Sequence, residues 1–312
     1  MKVNYHEDVP KTPSLLGLYP YTKCFATATA LHVVDPKNPG AVDEIIHLGD
    51  FWDEEKIQAV KQQVLQTNIR VGRLFKIAYH QLAEAKVIKD ELDSYLEEAA
   101  NRSRVHETAW KIIKSVTEDA PVQYEREPKA RHLFATAFTP GGQWHYLDTI
   151  LQDTRKLYLV TSDATSLTSY VVGAVARAAH TRGLDTGVFH CPLAPDNIDL
   201  VLIPRQGCAV MKDIPGIEFK AQNVPAITKV KLYNLNQHLN ESILAVYGSE
   251  IDSARERLSA AINRAISYIA KAKEEHDHME TYYIPAMNFD AINAKREEIL
   301  ARVLKYAEES GS

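Results

Sequence analysis

The chain has 312 residues, 45% of them hydrophobic and 25% charged, with a formal net charge of −5. This is the composition of a soluble globular protein of about two domains, long enough to bury a core without disulfide or metal staples. The acidic balance argues against a general nucleic-acid binder, and no apolar run reaches the roughly 18 residues of a membrane span.

Residues 1 to 14 are polar, carry two prolines and lack the apolar core of a signal peptide. Short apolar runs broken by Pro and Gly follow to about residue 50. Asp53-Glu54-Glu55 then places acid at a helix start, where it suits the positive end of the dipole. Val60, Val64, Ile69, Val71, Leu74, Phe75, Ala78 and Leu82 recur at three- and four-residue spacings. They predict an amphipathic helix, or a broken pair, running to about Ala100. A second helix over 103–117 folds back on it as a hairpin. Residues 118–130 hold two prolines and dense charge and read as a linker.

Beyond the linker the pattern changes. Strands are predicted at 156–161, 186–191, 199–204 and 208–211, and a helix over 169–182 stops at Gly183. Continuous apolar strands alternating with a helix predict a largely parallel sheet covered by helices. Residues 240–283 form a second long arm, ended by Tyr283-Ile284-Pro285, and 290–307 form a last helix.

The chain also repeats itself. At an offset of 187 residues, Ala78, Ala83, Ala85, Lys86, Asp90 and Tyr95 fall on Ala265, Ala270, Ala272, Lys273, Asp277 and Tyr282. Leu18-Tyr19-Pro20 with Cys24 matches Leu202-Ile203-Pro204 with Cys208, in the same order. A period this long describes two lobes and not a solenoid.

Lys156 to Gly183 has the layout of a P-loop unit: basic residue, apolar strand, tight turn, helix, second strand. A working P-loop uses glycines to turn backbone N–H groups onto phosphate, a lysine on the β/γ charge and Ser/Thr on Mg²⁺. Here the turn reads Ser162-Asp163-Ala164-Thr165-Ser166-Leu167-Thr168-Ser169.

Several short motifs stand in order around this turn. They are Arg131-His132-Leu133-Phe134-Ala135 with Thr139-Pro140, then Arg182-Gly183, Phe189-His190-Cys191 and Asp199 to Pro204. In the first half they are His32 to Lys37, Pro39 to Val42 and Leu48 to Asp53; near the end, Tyr282-Tyr283-Ile284 and Met287 to Asp290. From about residue 14 on, the chain resembles an internally duplicated, largely uncharacterised family of prokaryotic P-loop ATPase-like, nucleotide-kinase-like proteins. The resemblance implies one nucleotide unit per lobe. This chain departs from that in both. In the second lobe the glycine positions fall on Ser162, Thr165 and Leu167 and the lysine on Thr168, and only Ser169 keeps its type. In the first lobe residues 1 to 14 are too few for a strand, loop, helix and strand.

The losses remove a charge-assisted phosphate contact, worth about 1.5–3 kcal/mol. Asp163 adds repulsion, and Leu167 puts a branched apolar side chain where backbone should touch phosphate. A vestigial nucleotide site over Ser162, Asp163, Thr165, Ser166, Leu167, Thr168 and Ser169 is expected. Mg²⁺, if bound, would be held by Ser169 and by Asp213 at a strand end. His276-Asp277-His278 and His190-Cys191 could suggest metal or a nucleophile pair. Without HExxH spacing or placeable partners, they read as a solvated helix face and as packing residues.

The expected fold is α/β, with a P-loop-NTPase-like parallel sheet core, long helical hairpin arms and internal duplication. The expected divisions are a truncated first lobe, 1–117, with its hairpin 53–117; the linker 118–130; and a second lobe, 131–312. That lobe comprises an α/β part, 131–235, and a hairpin, 240–307. The expected function is that of a non-hydrolysing scaffold or interaction module with weak or no nucleotide binding. The alternative is an ATP-dependent enzyme, an ATPase or nucleotide-kinase-like protein, whose active P-loop lies outside this chain or in a partner. No cofactor is expected, and ATP with Mg²⁺ only if the site is competent. A protein partner or self-association through the arms is expected, with no membrane or nucleic acid. Three cysteines (Cys24, Cys191, Cys208) without CxxC spacing point to a reducing, cytoplasmic setting.

Overall fold

The computed structural model describes residues 40–41, 45–118 and 127–310. The upstream half of the repeat, Leu18 to Cys24, and the motif His32 to Lys37 lie outside these. The chain is mixed α/β and forms two compact units, one over Gly72–Lys273 and one from the described residues up to 71 together with 274–310. Among the described residues no helix is long and apolar enough to cross a membrane.

Among the described residues, helices α1 (Glu54–Ala59), α2 (Lys61–Glu98) and α3 (Arg102–Thr117) come first. Asp53 caps α1 by accepting from the Lys56 N–H at 3.2 Å, and Asn101 caps α3 by accepting from that of Arg104. A short side-chain acceptor at such a position satisfies a donor that the helix itself leaves open. Strand β1 (Ala130–Phe134) begins on the last residue of the predicted linker. It leads into a hairpin of β2 (Thr136–Thr139) and β3 (Gly142–His145), then the single turn α4 (Leu147–Ile150). Next come β4 (Lys156–Thr161), α5 (Thr165–Thr181), β5 (Thr186–His190), β6 (Ile198–Ile203), β7 (Cys208–Lys212) and β8 (Lys229–Asn234). The chain closes with α6 (Glu241–Val246), α7 (Gly248–Tyr283) and α8 (Phe289–Ser310).

Six strands form one sheet in the order β1-β5-β6-β7-β4-β8. All run parallel except β6, which is antiparallel to both β5 and β7. The expectation of parallel strands is corrected at this one: only the short link 204–207 joins β6 to β7, and a link that short permits only an antiparallel pair. A second correction concerns α5, which begins at Thr165 and not Ser169. Without glycines the second half of the expected loop winds into the helix, and Leu167 enters the core. Gly183, at φ +75°, stops α5 as expected.

Side chains alternate across the sheet into two cores. Tyr158, Val160, Val188, Val201 and Val210 face α5, α3 and the arms, with Val171, Val172, Val175, Ile112 and Ala85. Leu157, Phe189, Leu200, Ala209 and Met211 face α4 and the segment around Ile214 and Val224.

Within the larger unit α2 and α7 lie antiparallel, linked by Arg264 to Gln81 and Glu84, Arg257 to Glu91 and Tyr247 to Glu98. Ala78, Ala85, Ala261, Ala265 and Ala272 are fully buried. Each arm has the same plan: a cap, a six-residue helix, a break at Val60 or Tyr247, then the long helix. Bonds at the arm ends also recur at the 187-residue offset with their partners exchanged. Asp53 N–H donates to Ala286 O and Asn240 N–H to Ala99 O, both at 2.8 Å. Asn288 N–H donates to Phe51 O and Asn101 N–H to His238 O. The isolated bridges Trp52 to Met287 and Ala100 to Leu239 follow the same rule.

Replacing a fully buried alanine on this helix pair overpacks it. Ala85→Leu should therefore destabilise the chain by about 1–3 kcal/mol, read as a lower urea midpoint. An unchanged midpoint would mean that the alanines do not set the helix spacing.

Candidate functional site

The carboxyl ends of β4, β5 and β7 meet the amino end of α5, the place where open α/β sheets bind ligands. The turn after β4 satisfies its own donors. Asp163 N–H and Ser162 Oγ–H both donate to Asn236 Oδ1, at 2.9 and 3.0 Å, and Ala164 N–H donates to Ser162 Oγ. The Asp163 carboxylate accepts from Asn236 Nδ2 and pairs with Arg255 at 3.2 Å. Every positive φ among the described residues belongs to a glycine, and the turn holds none. A phosphate-cradling nest needs left-handed backbone and free N–H groups.

The residues that open α5 face three ways. Leu167 is core, and Thr168 Oγ–H donates back to Thr165 O. Thr165 Oγ–H donates to Asp93 of α2, which also pairs with Lys89. Ser166 Oγ is buried without a hydrogen-bond partner in the wall of a cavity of about 350 Å³. That cavity is lined by Lys86, Asp90, Asp93, Glu97 and Asp196 as well, so four carboxylates stand against one lysine. Such a lining repels phosphate.

Ser169 is buried, and its Oγ accepts from Lys212 Nζ at 3.2 Å. Lys212 ends β7 and is 2% exposed; its Nζ lies 2.7 Å from Oδ1 of Asp199, itself 1% exposed. The contact is an ion pair whose angles fall outside good hydrogen-bond geometry. The sheet builds this pair. Leu200 pairs with Met211, so Asp199 and Lys212 are the next residues along facing strands. On its other side β6 shifts register between Phe189 and His190, so Ile198 and Asp199 together face His190. A bulge re-aims a side chain in this way. Burial pushes the Asp199 pKa up, while Lys212 first, then Lys89 and His190, pull it back.

His190 continues the polar row to the next strand. Its Nδ1 meets the Pro195 carbonyl and its Nε2 lies 2.8 Å from His132 Nδ1 on β1. Asp213 is exposed, with its N–H on Val160 O. Ser169 and Asp213 thus differ in setting, one bonded to a buried lysine and the other facing water. Burial raises the Cys208 thiol to about 11, which keeps it protonated and unreactive. Far along α7, ligand atoms of His276, Asp277 and Glu280 lie within 4.8 Å of one another. At the 187-residue offset these positions are Lys89, Asp90 and Asp93, so both arms carry polar groups at the same place.

The sequence reading missed Lys212, Asp199, Asn236 and His132. A signal existed for the first two, since a lysine directly extends the apolar run Cys208 to Met211 and an aspartate opens Leu200 to Ile203.

Removing one partner of a buried pair strands the other. Lys212→Met should cost about 3–5 kcal/mol, while Asp199→Leu with Lys212→Met should be close to neutral, measured as a double-mutant cycle in urea. Equal losses in single and double variants would remove the pair from the account. Asp199 has a folded pKa above its ordinary 3.8, so its contribution is full below that value and is lost as pH rises through the folded pKa. Asp199→Asn should therefore lose less stability than the parent over that rise.

Comparison with protein-family models, with curated proteins and with solved structures finds no match to this chain.

Proposed function

We propose that the chain is a degenerate P-loop-NTPase-like protein that does not hydrolyse nucleotide and acts as an interaction module through its helical arms. The observation that carries this reading is the ammonium of Lys212 on the Ser169 hydroxyl and the Asp199 carboxylate. Ser169 is the one residue of the turn that keeps the type needed for Mg²⁺, and its oxygen already has a cation. The turn's first N–H groups are bonded within the protein, and the adjoining cavity is acidic. Each feature favours weak nucleotide binding or none.

The bonds that recur at one offset favour duplication of the arms, with α8 as the counterpart of α3. Val105, Ile112 and Val116 of α3 are buried in the core beside α5. Their counterparts Ile292, Ile299 and Val303 on α8 are only half-buried, and Leu300 is 48% exposed. Leu235 is fully buried while its counterpart Leu48 is 52% exposed. Among the described residues the smaller unit thus leaves partly exposed apolar side chains whose counterparts α5 and the sheet cover in the larger one. Contiguous exposed apolar surface marks interaction sites.

The same side chains favour one second reading. An α/β layer bearing a working P-loop, contributed from outside this chain, would dock there and make an ATP-dependent enzyme.

The purified chain should show no Mg²⁺-dependent hydrolysis of ATP or GTP. Binding of a fluorescent ATP analogue should be weak and indifferent to Mg²⁺. Thr168→Lys with glycines at 162, 165 and 167 should raise affinity more than Thr168→Lys alone, because donors and charge return together. Robust hydrolysis by the unmodified chain, abolished by Ser169→Ala, would overturn the reading.

A further inference from the structure

The row of polar side chains across β7, β6, β5 and β1 ends in two histidines whose ring nitrogens converge. His132 Nδ1 and His190 Nε2 are 2.8 Å apart, with ring centroids at 5.1 Å. Ring orientation is fixed from two sides. His190 Nδ1 has a carbonyl oxygen, that of Pro195, as its partner, so Nδ1 carries the proton and donates. Nε2 of neutral His190 is therefore a lone pair aimed at His132. The Phe134 ring lies 6.2 Å from the His190 ring at 56° and limits its rotation. A histidine whose far N–H is held by a carbonyl and whose near nitrogen is presented bare is the arrangement that metal-ligating histidines adopt. Because His132 is exposed and His190 half-buried, solvent reaches the pair.

We propose that His132 and His190 form a binding site for a divalent transition metal of the Zn²⁺ or Ni²⁺ class, held through Nδ1 of His132 and Nε2 of His190, with water completing the shell. In the metal-free pair one proton, on His132 Nδ1, lies between the nitrogens. On metal binding it moves to His132 Nε2, which leaves both rings neutral and both near nitrogens free to donate lone pairs. With Zn–N bonds of about 2.0–2.1 Å, two adjacent ligands sit roughly 2.9–3.3 Å apart, so the nitrogens need part by only a few tenths of an ångström, and the exposed His132 ring must turn so that both lone pairs meet at the metal instead of facing each other. The site is independent of the nucleotide reading.

Zinc titration of the full chain by calorimetry tests the proposal, with His132→Gln and His190→Gln as variants. A His276→Gln, Glu280→Gln chain controls for the cluster on α7. Parent and control should share a site that each of the other two variants weakens by at least about tenfold, the loss that even an outer-shell change commonly causes. Far-UV circular dichroism should be unchanged in His132→Gln, because that side chain is exposed. Identical isotherms for parent, His132→Gln and His190→Gln would overturn the proposal. So would loss of the site in the His276→Gln, Glu280→Gln chain alone, or absence of zinc binding by the parent.

Discussion

An ammonium and a carboxylate, both almost wholly out of water, meet where β6 and β7 lie side by side. Neither Lys212 nor Asp199 can remain there alone, because an uncompensated buried charge costs several kcal/mol. The neighbourhood is arranged around that need. Regular pairing of β6 with β7 sets Asp199 opposite Lys212, and Ser169 offers Lys212 a second oxygen. Ser169 can do so because α5 starts at Thr165, one turn before the sequence suggests. Around this pair stand Lys89 with Asp93, which also accepts from Thr165. The buried charges thus neutralise one another inside the protein.

The arms obey a different constraint. Two long helices can lie close only where side chains are small, and Ala78, Ala85, Ala261, Ala265 and Ala272 supply that stripe. Arginines outside it, Arg257 and Arg264, meet acids or amides across the groove. These exposed pairs add little energy and fix the register. At the arm ends the same backbone bonds occur twice, 187 residues apart. One set closes onto the α/β core, and the other closes a unit whose apolar side chains stay partly in water.

Much of the frame was legible in the sequence. The strand at 156–161, the helical arms and the Gly183 stop each carry a local signal of period, propensity or backbone freedom. The direction of β6 was not legible from its apolar run, because a fully buried strand reads the same whichever way it points. It was latent in the short link to β7. Edge strands β1 and β8 were missed because charged residues interrupt them, Arg131 and His132 in one and Lys229 and Lys231 in the other. The site was half-legible. That the turn holds neither glycine nor lysine could be read directly. The partners of the turn and of Ser169 could not, because Lys212, Asp199 and Asn236 arrive from strands and loops distant in sequence.

The central claim is that Lys212 stays locked on Asp199 and Ser169 whether or not nucleotide is present. Nitrogen-15 NMR of side-chain-labelled lysine, with the Lys212 signal assigned by its loss in Lys212→Arg, reads that ammonium directly. The account predicts a slowly exchanging Lys212 ammonium whose shift and exchange rate do not change when ATP and Mg²⁺ are added. An ammonium that exchanges freely, or that moves on addition of ATP and Mg²⁺, would contradict it.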